Sequence, residues 1–219
     1  MVHVQSFRSA LESWRFTPIL FRVKSEAQKI VTQNAKQLLR IQVHSALKKL
    51  PPESKAAASA QMLTAIQSQT AWRNAQAILL FGPLPDEPDL WPLIALALAD
   101  KKRVALPRFH STGGNYIAAE VRDPASDIQT GQFGIREPRP TCIEFPLNRL
   151  DLALVPGVAF DAGGGRLGRG KGYYDRLLAG VRGTKCGVAF DEQMVDAVPV
   201  GPQDIRLNCI LTPTRWIET

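Results

Sequence analysis

The residues best suited to chemistry lie together between positions 154 and 176, in the run LVPGVAFDAGGGRLGRGKGYYDR. Glycines let a backbone approach an anion closely, and the amides that open a helix point at it. Arg166, Arg169 and Lys171 add three cations among those glycines. Types and spacing together describe a phosphate cradle. Two short patterns fit the run. Gly163-x-Gly165-x-x-Gly168 has the form of a dinucleotide fingerprint, and Asp191 follows about 20 residues on, where a ribose-binding acid belongs. Three basic residues inside that loop are unusual for such a site. The stretch from Gly165 to Gly170-Lys171 fits GxxxxGK, but Gly172 stands where a P-loop has Ser or Thr, so the hydroxyl that holds magnesium is missing. A nucleotide bound here needs a carboxylate for the metal, and Asp175 is the nearest. A plain glycine-rich turn with solvated charges is the remaining reading. It leaves the charges and the two tyrosines, Tyr173 and Tyr174, without a packing purpose.

Composition bounds what can position such a loop. The chain has 219 residues, 45% of them hydrophobic and 21% charged, enough for one domain with a core of its own. The longest strongly apolar stretch, residues 90–99, contains Pro92 and falls well short of the roughly 18 residues of a membrane span. The cysteines (Cys142, Cys186, Cys209) are three, widely spaced and without a CxxC pair, which fits a reducing compartment and core packing. His3, His44 and His110 form no ligand-spaced set. The tryptophans, Trp14, Trp72, Trp91 and Trp216, read as packing residues. A net charge of +7 asks for an anionic partner: nucleic acid, membrane surface or phosphorylated small molecule. Charge clustered among glycines favours the last.

Periodicity predicts helices over residues 28–50, 53–69 and 90–99, with a further helix opening at Gly172. Short apolar runs predict strands at 77–81, 104–106 (ended by Pro107), 116–121, 152–155, 185–190 and 209–212. Strands that alternate with helices and read as continuous apolar runs imply a mostly parallel sheet covered on both faces. Residues 1–30 are basic and lack a clear apolar period. They read as a partly helical extension, or alternatively as an organelle transit peptide.

The run PGVAFDxxGxRLGRGKGYYDR closely resembles the signature of the 5-formyltetrahydrofolate cyclo-ligase family, whose members are also called 5,10-methenyltetrahydrofolate synthetases. Other segments resemble the family in the same order. They are Lys36-QLL-Arg40, Asp86-Glu87-Pro88-Asp89, Lys102 to Arg108, Gln132-FGIRE-Pro138, and Val198-Pro-Val200 followed by Asp204. Two departures stand out: Leu90 where the family usually has Thr, and three consecutive glycines before Arg166 where it often has a charged residue.

The resemblance implies an α/β fold, a three-layer α/β/α sandwich with a Rossmann-like, mostly parallel sheet. It implies an extension over 1–32 and a single domain over 33–219. The implied reaction converts 5-formyltetrahydrofolate and ATP, with Mg2+, to 5,10-methenyltetrahydrofolate, ADP and phosphate. By the same resemblance, ATP is held by Lys36 and Arg40 and by Arg166, Leu167, Gly168, Arg169, Gly170, Lys171, Gly172, Tyr173 and Tyr174. Arg169 and Lys171 are the residues expected to stabilise the moving phosphoryl group. The folate is expected against Gly82, Glu87, Phe133, Arg169 and Tyr173, and magnesium on Asp175 and Asp204. A cytoplasmic monomer that binds neither nucleic acid nor membrane is expected. Two other readings stay open. One is a different phosphate-ligand enzyme on a similar sheet, such as a sugar-phosphate isomerase or dinucleotide oxidoreductase. The other is a nucleic-acid-binding protein, suggested by the charge alone.

Overall fold

The computed structural model describes the backbone of residues 8–219 and the side chains from residue 28 onward, except Gln132. Residues 1–7 of the expected extension, and the Trp14 side chain, lie outside the described residues.

The chain opens with one long helix, α1 (Arg8–Leu47), followed by α2 (Pro52–Ser68) and the single turn α3 (Thr70–Asn74). Strand β1 (Ala77–Leu79) leads through a loop to α4 (Leu93–Ala99), then to β2 (Arg103–His110) and β3 (Asn115–Val121). A short α5 (Pro124–Asp127) precedes the hairpin β4 (Ile128–Thr130) and β5 (Arg136–Pro138). Strand β6 (Leu152–Val155) runs into a second hairpin, β7 (Ala159–Phe160) and β8 (Arg166–Leu167), and then α6 (Tyr173–Leu178). The chain ends with β9 (Thr184–Val188), β10 (Cys209–Leu211) and β11 (Trp216–Glu218).

Seven strands form one sheet in the order β11-β10-β9-β6-β1-β2-β3. The five inner strands pair in parallel, and the two edge strands, β3 and β11, run antiparallel. Side chains alternate across the sheet. Ile78, Leu152 and Leu154 pack into one apolar cluster with Val43 and Leu47 of α1, Met62 and Ile66 of α2, and Leu93 and Ile94 of α4. Leu79, Ala153 and Val155 pack into another with Leu177 and Leu178 of α6 and with Phe145. Both faces of the sheet are therefore buried, as the continuous apolar runs imply. The architecture is the expected three-layer α/β/α sandwich.

The expected partly helical extension is continuous with the first helix, which begins at Arg8, about twenty residues before the periodic segment, because a backbone ladder propagates readily once a packed segment has nucleated it. Two expectations are corrected. Residues 90–92 form a turn before α4, whose N-cap is Pro92. Pro107 does not end its strand. The backbone groups of Arg103 and Ala105 face β1, donating to Gln76 O and accepting from Leu80 N. By alternation Pro107 faces the same flank, where β1 has already stopped, so its missing N–H costs no ladder bond. The strand then pairs with β3 out to His110↔Asn115.

The cysteines behave as packing residues. Cys186 and Cys209 are buried opposite each other on β9 and β10, all three thiols are free, and burial pushes the Cys186 thiol well up. Trp72 is buried, while Trp91 and Trp216 pack against the core's margin. Leu154, at the centre of β6, has no exposed surface. Leu154→Ala is expected to lower the unfolding free energy by about 2–5 kcal/mol, read from urea denaturation.

Candidate functional site

The parallel strands deliver their carboxyl ends to one side of the sheet, the side on which open α/β folds bind ligands. A cavity of about 420 Å³ lies there, in the range typical of small-molecule sites. Gly82 beyond β1, Pro156 and Gly157 beyond β6, and Pro107 late in β2 form part of its wall. A side chain at Gly82 would collide with the Arg136 carbonyl, so glycine lets the β5 segment close against the end of β1.

The glycine-rich run forms the opposite wall and is built by its own acid. Asp161 Oδ1 accepts from the amides of Gly163 and Gly165 (2.9 Å each), and Oδ2 accepts from Val198 N at 2.7 Å. That turn folds β7 onto β8. Beyond it the chain has positive φ at Gly170 (102°) and at Gly172 (64°), which caps α6. Glycine adopts both without strain. Arg166 is almost wholly buried: its Nη1 donates to Pro156 O at 3.2 Å and its Nη2 to Asp175 Oδ1 at 3.0 Å, while Nε has no partner among the described residues.

Two anchors come from α1. Arg40 Nε donates to the Gly168 carbonyl at 2.9 Å, and Lys36 Nζ pairs with Asp204 Oδ2 at 2.5 Å. A third comes from the loop after β1. Arg169 Nη2 donates to Asp86 Oδ1 (2.6 Å) and Glu87 Oε1 (3.0 Å), with Nε also reaching Glu87 Oε1 at 3.2 Å. Lys171 differs: among the described residues its ammonium has no hydrogen-bond or ion-pair partner, and it lines the cavity.

The structure therefore gathers most of the expected residues. Gly82, Glu87, Phe133, Arg166, Gly168, Arg169, Lys171, Gly172, Tyr173, Tyr174 and Asp175 all line the one cavity. Leu167 does not: its side chain is buried in the core cluster, and its carbonyl accepts from Val158 N. Gly170 lies beside the Arg40 guanidinium, 3.6 Å from where a Cβ would sit. Lys36, Arg40 and Asp204 do not line the cavity: Arg40 holds the loop at the Gly168 carbonyl, while Lys36 and Asp204 pair with each other and Asp204 with the Gly201 amide.

Sequence reasoning missed part of the aromatic wall. Tyr116 lines the cavity together with Phe133, Tyr173 and Tyr174. Its ring meets Tyr173 edge-on at 5.3 Å and tilts toward Tyr174 at 6.0 Å, and Phe109 backs both Tyr173 and Phe133. Phe133 is 55% exposed and held at φ +66°, a conformation uncommon for a bulky residue and often found at functional sites. The available signal was Gly113-Gly114 between two strand patterns, which marks a hairpin and sets Phe109 opposite Tyr116.

Burial sets the protonation of this wall. It pushes the Tyr116 phenol up to about 12, with the Glu137 carboxylate adding to it, and lifts Tyr174 well above its ordinary value. Both hydroxyls remain proton donors at neutral pH. Burial also raises the Glu87 carboxyl, more than Arg169 and the Leu84 amide lower it.

Similarity to known proteins agrees with this geometry. A model of the 5-formyltetrahydrofolate cyclo-ligase family matches residues 32–213. The chain belongs to that family. It is 34% identical over 174 residues to the 5-formyltetrahydrofolate cyclo-ligase of Escherichia coli, covering 77% of this chain and 95% of that one. The solved 5,10-methenyltetrahydrofolate synthetase of Aquifex aeolicus superposes with a TM-score of 0.76 at 33% identity, covering 84% of this chain and 92% of the other. A synthetase from Mycoplasma pneumoniae shares the fold, with a TM-score of 0.65 at 23% identity over 81% of this chain and 98% of its own. The chain is thus an enzyme of the cyclo-ligase family.

The acids of this cyclo-ligase site suit a hard cation only in part. Among the described residues no three His, Cys, Asp or Glu side chains gather to hold a metal. Asp175 accepts through Oδ1, from Arg166 and from Ile205 N (3.3 Å); Asp204 accepts through Oδ2, from Lys36 and Gly201 N. The second oxygen of each carboxylate has no partner among the described residues. One oxygen on each carboxylate is therefore open to a hard cation, which takes oxygen ligands.

Glu87 makes a pH signature. Its folded carboxyl titrates above the unfolded value of 4.5, so the folded state holds the proton more tightly, and the stability this gives fades as pH rises past that value. In a urea series from pH 4 to 7, the stability of the wild type relative to Glu87→Gln is therefore expected to fall as pH rises above 4.5 and to level off once the folded carboxyl has ionised.

Proposed function

We propose that this enzyme uses ATP and Mg2+ to convert 5-formyltetrahydrofolate to 5,10-methenyltetrahydrofolate, releasing ADP and phosphate. The observation that carries the reading is the cavity itself. Aromatic side chains suited to a flat pteridine share its lining with a glycine loop whose Lys171 ammonium has no partner among the described residues. The names of the relatives support the substrate, and the cation-lined loop supports a triphosphate.

The chemical difficulty is a formamide, whose carbonyl is a poor electrophile and whose oxygen leaves badly. The formyl oxygen attacks the γ-phosphorus, forming an O–P bond as the bond to the departing ADP oxygen breaks. N10 then attacks the activated formyl carbon and loses its proton, and phosphate departs with the former formyl oxygen. The product carries its positive charge across N5, the bridging carbon and N10. Both steps depend on positioning and on neutralising the transferred phosphoryl group. Lys171 and the free donors of Arg169 meet that charge, assisted by the amides of 168–172. Lys36 and Arg40 act from α1, Lys36 by orienting Asp204 and Arg40 by holding the Gly168 carbonyl. Asp175 and Asp204 would hold magnesium, which supplies charge screening of the triphosphate. Glu87 accepts from the pterin N–H groups, and Tyr173 and Phe133 flank the ring. The same reading places a monomer in the cytoplasm, consistent with three free thiols, and divides the chain into an extension over 1–32 and a domain over 33–219.

The test is the near-ultraviolet absorbance of methenyltetrahydrofolate in a mixture of enzyme, 5-formyltetrahydrofolate, ATP and magnesium. A rise that needs both ATP and magnesium is expected, and a rise without ATP contradicts the reading. Lys171→Ala is expected to lower turnover at least 100-fold, the scale of losing one oxyanion-stabilising group, with the melting temperature kept. Asp175→Asn is expected to raise the magnesium concentration needed for half-maximal rate.

A further inference from the structure

Arg169 is the most heavily paired cation facing the cavity. A guanidinium has five N–H donors in a rigid plane. Here the Nε and Nη2 edge faces two acids, Glu87 and Asp86. Nη1 makes no bond among the described residues. Because the group is planar, the two acids fix where Nη1 points.

The acids are not equivalent. Glu87 is nearly buried, lines the cavity, and uses its other oxygen on the Leu84 amide at 3.0 Å. Asp86 lies outside the cavity lining, is 28% exposed, and makes the shorter bond to Arg169, 2.6 Å. Its other oxygen faces His44 Nδ1 of α1 at 3.4 Å. Asp86 thus links the first helix to the glycine loop through Arg169. When the pterin takes bonds from Glu87, the hold of Glu87 on Arg169 weakens. Asp86 is then the remaining anchor.

We propose that Asp86 is a positioning residue: it holds the Arg169 guanidinium at the cavity while Glu87 turns to the substrate. The inference rests on the ATP-dependent reading of the site and adds to it a residue that touches neither substrate. The opposite role, an acid that neutralises Arg169 and holds it back, predicts the opposite kinetics.

Steady-state kinetics with 5-formyltetrahydrofolate and Mg-ATP separate the two. For Asp86→Asn, kcat is expected to fall about tenfold with both KM values within about twofold, since a misplaced transition-state group costs kcat more than binding. Asp86→Glu is expected to recover part of the loss, and the melting temperatures of both variants should match the wild type. In an Arg169→Lys background, Asp86→Asn should cost less than in the wild type, because the two side chains act as one unit. Unchanged or faster turnover in Asp86→Asn overturns the proposal, as does the same loss in both backgrounds. Wild-type kcat in Arg169→Lys removes the role of Arg169 and the proposal with it. A wild type that never forms product from ATP and the folate overturns the functional reading itself.

Discussion

Everything at this site depends on how residues 168–172 are held. The segment has no strand ladder of its own and takes positive φ at Gly170 and Gly172. Side chains from elsewhere supply the order: Arg40 on the Gly168 carbonyl, Asp86 and Glu87 on Arg169, and Arg166 on Asp175 at the start of α6. Glycine makes the loop able to wrap a phosphate chain, and the anchors keep that freedom from becoming disorder. The cost of ordering a flexible backbone is met before a ligand arrives, which is the physical meaning of preorganisation.

The same arrangement divides the cations by task. Arg166, Arg40 and Lys36 are engaged with protein oxygens and shape the site; Arg169 is half engaged; Lys171 has no partner among the described residues. A loop that left all of its cations unpaired would repel itself. Pairing most of them concentrates the field where one ammonium and one guanidinium edge face the cavity. In the same lining, burial keeps the Tyr116 and Tyr174 phenols protonated, so the cavity also offers aromatic faces and neutral donors. A charged phosphate end and a flat, weakly polar end are what a ligase joining ATP chemistry to a pterin requires.

Much of this is legible in the sequence because glycines, apolar runs and cations mark themselves locally. Residues 152–155 read as a buried strand and are one, and the loop reads as a phosphate cradle from residue types alone. The longer start of α1 is not legible, since a helical backbone can continue where no apolar period announces it. Pro107 misleads because its cost depends on a neighbour, and only the topology shows that β1 has ended beside it. Tyr116 and Phe109 escape for a related reason: each is ordinary in its own segment and gains its role through the β2–β3 register and the rings of Tyr173 and Phe133. Asp86 is visible as part of the acidic segment 86–89, but its bond to Arg169, 83 positions on, is not legible there. Leu167 errs in the other direction: it lies inside the motif, yet its side chain belongs to the core.

Phosphorylation of the formyl oxygen at this loop, as proposed, can be read by following that oxygen. With 5-formyltetrahydrofolate carrying 18O in the formyl group, and with ATP and water unlabelled, mass spectrometry of the released inorganic phosphate reads the path. One 18O atom is expected in each phosphate formed. Unlabelled phosphate released alongside methenyltetrahydrofolate would contradict it, because the formyl oxygen would then have left by a route that bypasses the phosphoryl group.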